Sequence, residues 1–308
     1  MSVIVIHGGA GAWSREGEDL VHEALRDALL AGGEVLKRRG KAVDAVQAAV
    51  ESLEDSPRFN SGHGAVTTAD GTVELDAAIM DGIGPRAGAV AAVTGVKHPV
   101  ALARTVLDGT PHVLMVGRGA EALADEVGLE RVPHEYFARA AELSGPEAIP
   151  LGEAVAARER AASETPIEEA ETVGAVALDA AGHLAAATST GGMKGQLPGR
   201  VGDAPLPGAG TWAQDGVCAV SATGDGEAFI TAAVAHEVAA TLRLTELGIE
   251  EACSLVLRGR VPGTGGLIGV DPKGNICLPY TTPAMARGVL RTGGKPWTAI
   301  GAGDPPPR

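Results

Sequence analysis

The sequence predicts an α+β fold in which two packed sheets lie between layers of helices, and three observations carry that expectation. Short aliphatic runs such as Val3 to Ile6 and Val173 to Leu178 have the length and composition of strands buried on both faces. Longer stretches with Leu and Ala at helical spacing alternate with them in blocks. Aromatic residues make up only 3% of the chain while glycine reaches 44 of 308 residues. The interior must therefore rest on Ala, Val, Leu and Ile with closely approaching backbones, which suits layered sheets and helices.

Val3 to Ile6 reads as a strand that ends in a Gly-rich turn, His7 to Ala12. A dinucleotide fingerprint would need a third glycine where Ser14 stands, and no glycine-rich loop ends in Gly-Lys-Ser/Thr, so nucleotide phosphates are excluded as the reason for these glycines. They bring bare backbone close either to a ligand or to a neighbouring strand. Glu18 to Lys37 and Lys41 to Leu53 carry Leu, Val and Ala at helical spacing. Asp55 to Gly64 is a loop dense in turn formers. Its main-chain carbonyls either ring a hard cation or face solvent.

Val73 to Met80 and Ala87 to Val93 are expected strands, Pro99 to Leu107 a helix with proline in its first turn, His112 to Val116 a short strand and Arg118 to Val127 a helix. The pattern then degrades, apart from a weak helix near Glu153 to Ala161, and Ser163 to Glu171 is an acidic, polar stretch that reads as an exposed linker. Strands follow at Thr172 to Asp179 and Leu184 to Ala187, then a long helix from Ala228 to Leu247, another from Ile249 to Leu257, and strands at Gly266 to Val270 and Ile276 to Tyr280. The two halves of this order meet near residue 171, within one domain spanning 1–308.

Composition removes several functions. A formal net charge of −14 opposes binding to nucleic acid or to an anionic membrane. No apolar run reaches the roughly 20 residues that span a bilayer, and the N-terminus lacks the basic region of a signal peptide, so the cytoplasm is the expected compartment. Cys218, Cys253 and Cys277 are odd in number and widely spaced, as for reduced, buried thiols rather than disulfides or a zinc site.

The chemistry concentrates between Glu171 and Gly224, where Thr172, Thr190 and Thr223 sit at strand ends beside glycines with Arg200 and Asp203 between them. There is no Gly-x-Ser-x-Gly elbow, no His-Glu-x-x-His, and no histidine in this stretch except His183 in a turn. A threonine at a chain N-terminus needs no histidine, because its own α-amine, with a pKa of about 7.7–8, serves as base. Thr172 would qualify if the bond after Glu171 were cut, and an exposed linker running into a buried strand is what such a cut requires.

These residues carry a resemblance. Thr172 to Asp179, Ala187-Thr188-Ser189-Thr190-Gly191-Gly192-Met193, Leu197-Pro198-Gly199-Arg200-Val201-Gly202-Asp203 and Gly208-Ala209-Gly210 resemble the plant-type asparaginase and isoaspartyl peptidase family of N-terminal-nucleophile hydrolases. So do Ile6 to Gly11, Phe59-Asn60-Ser61-Gly62, Glu74 to Ala77 with Met80-Asp81-Gly82, and Gly265 to Ile268. The likeness runs from about residue 3 to 288 and lapses between about 133 and 170. It implies a four-layer αββα sandwich and self-cleavage at Glu171-Thr172 into residues 1–171 and 172–308, with 163–171 as the linker.

The resemblance further implies Thr172 as nucleophile, Thr190 bonded to it, Thr223 and Gly224 as oxyanion hole, and Asn60 orienting the nucleophile. Arg200 would hold a substrate α-carboxylate and Asp203 its α-ammonium. Main-chain oxygens of Leu53, Glu54, Ser56, Phe59, Ser61 and His63 would bind a structural sodium ion, and no cofactor is required for the chemistry. The implied substrates are the small molecules asparagine and β-aspartyl dipeptides, and the implied assembly is a dimer of cleaved units. This sequence departs from the family at Glu171, where glycine or aspartate is usual, and at Gly195-Gln196 and Ala204, which replace Asn-Lys and Ser. Two other readings stand beside this one: a glycosylasparaginase, which shares the nucleophile, and an uncleaved amino-acid-binding protein.

Overall fold

A computed structural model describes residues 2–14, 16–137, 172–303 and 306. The weak helix expected near 153–161, the linker of 163–171 and Glu171 itself lie outside the described residues. An eight-stranded sheet is built from β1 (Val3–Gly11), β2 (Leu75–Asp81), β3 (Arg86–Val93), β4 (Leu114–Val116), β5 (Val173–Leu178), β6 (Leu184–Thr190), β11 (Ala284–Arg291) and β12 (Trp297–Ala299), in the order β12-β11-β1-β5-β6-β2-β3-β4. A second sheet of four strands holds β7 (Thr211–Gln214), β8 (Cys218–Gly224), β9 (Gly265–Val270) and β10 (Ile276–Cys277), in the order β10-β9-β8-β7. The described helices are α1 (Glu18–Lys37), α2 (Ala42–Glu54), α3 (Pro99–Gly109), α4 (Gly117–Glu126), α5 (Gly226–Ala232), α6 (Val234–Leu244) and α7 (Ile249–Gly259).

Period-two alternation sorts the side chains into separate cores. Ile4, Ile6, Val173, Ala175, Ala185 and Ala187 face one way and pack with Leu25, Leu29, Val46 and Val50 of α1 and α2. Their neighbours Val3, Val5, Val176, Leu178, Leu184 and Ala186 face the other way and meet Ala219, Ile268 and Val270 of the second sheet. On the far side of that sheet Val220, Ala222 and Leu267 pack with Phe229, Val238 and Val256 of α5, α6 and α7. Followed toward one end, the inter-sheet face changes character. Beyond Val3 and Val5 the next inward residue is His7, beyond Leu184 and Ala186 come Thr188 and Thr190, and beyond Ala219 come Ser221 and Thr223. A dry aliphatic interior thus passes into buried hydroxyls.

Several expectations are corrected. The Gly-rich run after Ile6 is strand rather than turn: β1 continues to Gly11 with a bulge between His7 and Gly9. The glycine there is needed because a Cβ on Gly8 would lie 2.4 Å from Phe59 Cε1. The helix expected over 228–247 is broken at Ala233, which has φ 47°. The break lets the first amides of α6 donate outside the helix, Ala235 N to Ala209 O at 3.0 Å and His236 N to Gly208 O at 2.8 Å. The strand expected over 276–280 is only Ile276–Cys277. The strand β11, beside β1 inside the large sheet, was not expected at all. All three cysteines are free and buried.

Close approach is clearest at Gly32 of α1, where a Cβ would lie 2.3 Å from Ile4 Cδ1, 2.7 Å from Ala45 O and 3.2 Å from Ala49 Cβ. Helix propensity favours alanine over glycine by about 1 kcal/mol, whereas overpacking a tight interface costs about 1–3 kcal/mol. Because one of the contacts is backbone, the packing effect wins. Gly32→Ala is expected to lower the urea midpoint, and a raised midpoint would show that α1 has room to move.

Candidate active site

The antiparallel register of β5 and β6 pairs Val173 with Ser189, which sets Thr172, one residue earlier, opposite Thr190, one residue later. Thr172 is 9% exposed, and its hydroxyl donates to Thr190 Oγ1 at 3.1 Å. Thr190 Oγ1 also accepts the amide of Gly192 at 3.0 Å. Asn60 lies behind this turn: its Nδ2 donates to Gly192 O at 2.6 Å, its Oδ1 accepts Val66 N at 3.0 Å, and its carbonyl accepts Gly191 N at 2.9 Å. Asn60 therefore reaches Thr172 through the Thr190 turn.

Thr223 stands near the end of β8, buried, and its Oγ1 accepts Ala10 N at 3.4 Å. Gly224 follows with φ 142°, and a Cβ there would lie 2.4 Å from Thr264 O, so only glycine fits. Asp225 then caps α5, its Oδ1 accepting Ala228 N at 3.2 Å.

Arg200 is held by two carboxylate bonds and an amide: Nε to Glu227 Oε1 at 3.1 Å, Nη2 to Glu227 Oε2 at 2.8 Å, and Nη1 to Gln196 Oε1 at 3.3 Å. Bare backbone flanks the guanidinium. A Cβ on Gly202 would lie 3.0 Å from Nη1 and one on Gly226 2.9 Å from Nη2. The same position on Gly226 is 3.0 Å from Asp203 Oδ1, so the charges of Arg200 and Asp203 meet across one glycine.

Asp203 is 5% exposed, and its Oδ2 is buried with no hydrogen-bond partner among the described residues. Such an atom is costly unless something fills its need. Burial pushes its carboxyl up to about 7, against the smaller opposing pull of Arg200. Asp76 of β2 is likewise buried and pushed up to about 6 by burial. Its two oxygens accept Ala92 N at 2.8 Å and Gly202 N at 3.4 Å.

Sequence reasoning placed Gln196 at the pocket edge as a departure from the family pattern, and it gave Asp76 and Glu227 no part in this constellation. Gln196 joins its halves, accepting Met193 N at 2.9 Å as well as Arg200. Asp76 stands in the Glu74 to Ala77 segment of the resemblance, and a second signal is its place as an acidic residue inside the aliphatic run Leu75 to Met80, where each face of the strand is packed. Glu227 could be found only from its place in the first turn of a helix that begins right after Gly224.

The loop after α2 is crowded with main-chain carbonyls. A Cβ on Gly62 would lie 2.4 Å from Glu54 O, and one on Gly64 2.2 Å from Phe59 O and 2.8 Å from Pro57 O. The carbonyls of Leu53, Phe59 and Ser61 each accept one local amide, and a carbonyl has a second lone pair. Among the described residues no group of three or more His, Cys, Asp or Glu could hold a metal ion. The donor set is neutral oxygen, which fits a hard monovalent cation.

The asparaginase family model matches residues 1–300. The chain belongs to the asparaginase family. It is 45% identical to the isoaspartyl peptidase of Escherichia coli over 315 residues, covering 97% of this chain and 96% of that protein. It is 47% identical to the plant-type L-asparaginase of Pyrobaculum calidifontis, covering 94% and 96%. With the human isoaspartyl peptidase/L-asparaginase it shares 39% identity, covering 94% of each. In this asparaginase-family chain the buried Asp203 has a thermodynamic sign. Between about pH 4 and pH 7 the unfolded chain has lost a proton that the folded chain keeps, so stability falls as pH rises through that window. Asp203→Asn removes that loss, and its urea midpoint relative to the parent protein should climb between pH 4 and pH 8. A constant difference would mean that the carboxyl is not buried as described.

Proposed function

We propose that this chain is a self-processing amidohydrolase that releases L-aspartate from asparagine and from β-aspartyl dipeptides. The observation that carries this reading is Asp203 Oδ2, buried and without a partner among the described residues, beside the guanidinium of Arg200. An α-amino acid head group fits both charges at once: its ammonium supplies the partner that Asp203 lacks, and its carboxylate meets the guanidinium that Glu227 and Gln196 already orient. A guanidinium grips a carboxylate through parallel N–H bonds, and Glu227 and Gln196 hold that of Arg200 in place beforehand. The names of the relatives support the same substrate class.

Cleavage of the bond before Thr172 frees an α-amine that acts as base for the threonine's own hydroxyl. Oγ1 then attacks the side-chain carbonyl carbon, its proton passes to the amine, and Thr223 with the backbone at Gly224 stabilises the tetrahedral oxyanion. The amine returns the proton to the leaving nitrogen, so ammonia departs from asparagine and a free amino group from a β-aspartyl dipeptide. Water activated by the same amine hydrolyses the ester and releases aspartate. Thr190 aligns the hydroxyl throughout, and Asn60 supports Thr190 through the 190–192 turn.

The three apolar cores support the family's αββα sandwich, and the proposed cleavage divides it into residues 1–171 and 172–308. The carbonyl-lined loop would hold a sodium ion through Leu53, Glu54, Ser56, Phe59, Ser61 and His63, which supplies rigidity behind Asn60 and no step of the reaction. Assembly as a dimer of cleaved units and a cytoplasmic setting complete the proposal. No helix among the described residues is long and apolar enough to cross a membrane.

Release of aspartate from asparagine, a β-aspartyl dipeptide and a glycosylated asparagine tests the substrate class, and preference for the glycosylated compound would overturn it. Thr172→Ala should leave a single uncut chain without turnover. Asp203 must be ionised to hold an ammonium, so KM should fall as pH rises from 6 to 8. Losing one partner of a buried charge pair costs about 2–5 kcal/mol, so Asp203→Asn should cut kcat/KM by about 30-fold or more. Retention of kcat/KM in that variant would remove Asp203 from the site.

A further inference from the structure

His7 is fully buried in β1, and the reaction described above gives it no part. Its Nδ1 lies 2.9 Å from the main-chain carbonyl oxygen of Thr172 and its Nε2 2.8 Å from Ser221 Oγ. A carbonyl only accepts, so Nδ1 carries the proton. Burial keeps the ring neutral, holding its pKa down at about 3, so Nε2 has a lone pair and accepts from Ser221. Ser221 in turn accepts from Thr188 at 2.7 Å, a shorter contact than that of Thr188 with Gly210 O at 3.3 Å, and Thr188 accepts from Thr211 at 2.6 Å. The contact of Thr211 with Ala204 O at 3.1 Å is the longer alternative for that last proton. One carbonyl, that of Thr172, therefore sets the direction of a chain of bonds crossing from the large sheet to the small one.

A separate observation shows that the nucleophile strand is built around this contact. Gly174 faces the second sheet, and a Cβ on it would lie 2.0 Å from Ser221 Oγ and 2.4 Å from His7 Nε2. The His7–Ser221 bond occupies the space a side chain would need.

We propose that His7 is a positioning residue for the nucleophile, holding the carbonyl of Thr172 and with it the direction in which that threonine projects its amine and hydroxyl. This rests on the reading of Thr172 as an N-terminal nucleophile. Once the chain begins at Thr172 its nitrogen has no preceding peptide to anchor it, and rotation about ψ sweeps the amine around the Cα–C bond. The hydroxyl end of Thr172 is already held by Thr190 at 3.1 Å, so fixing the carbonyl oxygen at the other end of the residue restricts ψ between two anchors. The β5–β6 ladder begins only at Val173, so order reaches the residue before it through two side-chain bonds, Thr190 on its hydroxyl and His7 on its carbonyl.

Asparagine places Nδ2 the same number of bonds from Cα as histidine places Nδ1, so His7→Asn keeps the donor to Thr172 and loses the reach to Ser221. Misplacing a reacting group by about 1 Å costs on the order of 100-fold in rate. In mature enzyme, His7→Ala should lower kcat for asparagine by about 100-fold with KM changed less than about threefold, and His7→Asn should recover at least about tenfold of that loss. Folded His7→Ala with parental kcat, or folded His7→Asn as slow as His7→Ala, would overturn the assignment. Should His7→Ala fail to fold, nitrogen-15 NMR of histidine-labelled parent protein decides, its His7 signal identified by its loss in His7→Asn. The Nδ1–H tautomer is expected, and the Nε2–H tautomer would refute the bond to Thr172. Parent enzyme that hydrolyses none of the substrates would instead sink the proposed reaction, leaving the tautomer result as it stands.

Discussion

The antiparallel pairing of β5 with β6 is the constraint on which the site depends. It sets Thr172 opposite Thr190 at the edge of the ladder and turns Thr188, Thr190 and Gly174 toward the second sheet. The neighbouring strand β1 and the facing strand β8 of the second sheet bring their own inward residues to the same end, His7 from β1, and Ser221 and Thr223 from β8. Slipping any of these pairings by one residue would send hydroxyls into an aliphatic layer, under α1 and α2 for the large sheet and under α5, α6 and α7 for β8, and apolar side chains into the site. The large hydrophobic faces that stabilise the fold thus also hold the register of the reactive groups.

Around the hydroxyls the protein keeps charge that is hard to bury. Asp203 and Asp76 are both pushed toward neutrality by burial, and Asp203 retains an oxygen without a partner among the described residues. A fold optimised for stability alone would replace such a carboxylate; a binding site for an ammonium has a reason to retain it. Arg200 is treated differently. It is anchored through Glu227 and Gln196, with glycines at 202 and 226 leaving its flanks bare. One charge is left wanting a partner and the other is oriented before any partner arrives.

Much of this was legible in the sequence, and the exceptions have identifiable causes. Helical spacing placed α1 over its observed bounds and α2 within a residue, because both are amphipathic against one core. The strand β11 was invisible because its middle is Arg287-Gly288, yet Arg287 is buried: its guanidinium donates to the carbonyls of Met285, Ile300 and Gly301 and lies over the rings of Tyr280 and Trp297. Ala233 looks like helix interior and adopts positive φ only because α6 docks its amides on Gly208 and Ala209. For the site, motifs pointed to Thr172, Thr190, Thr223, Arg200, Asp203 and Asn60. Asp76, Gln196 and Glu227 act through backbone amides or through Arg200, and contacts of that kind leave no spacing to read.

The central claim is that the hydroxyl of Thr172, at a chain end freed by cleavage, carries the acyl group. Acid-quenched enzyme taken during steady turnover of asparagine, digested and analysed by tandem mass spectrometry, tests it directly. The account predicts an aspartyl ester on a threonine that is the first residue of the C-terminal fragment. An adduct on any other residue, or turnover by a chain still continuous across Glu171 and Thr172, would contradict it.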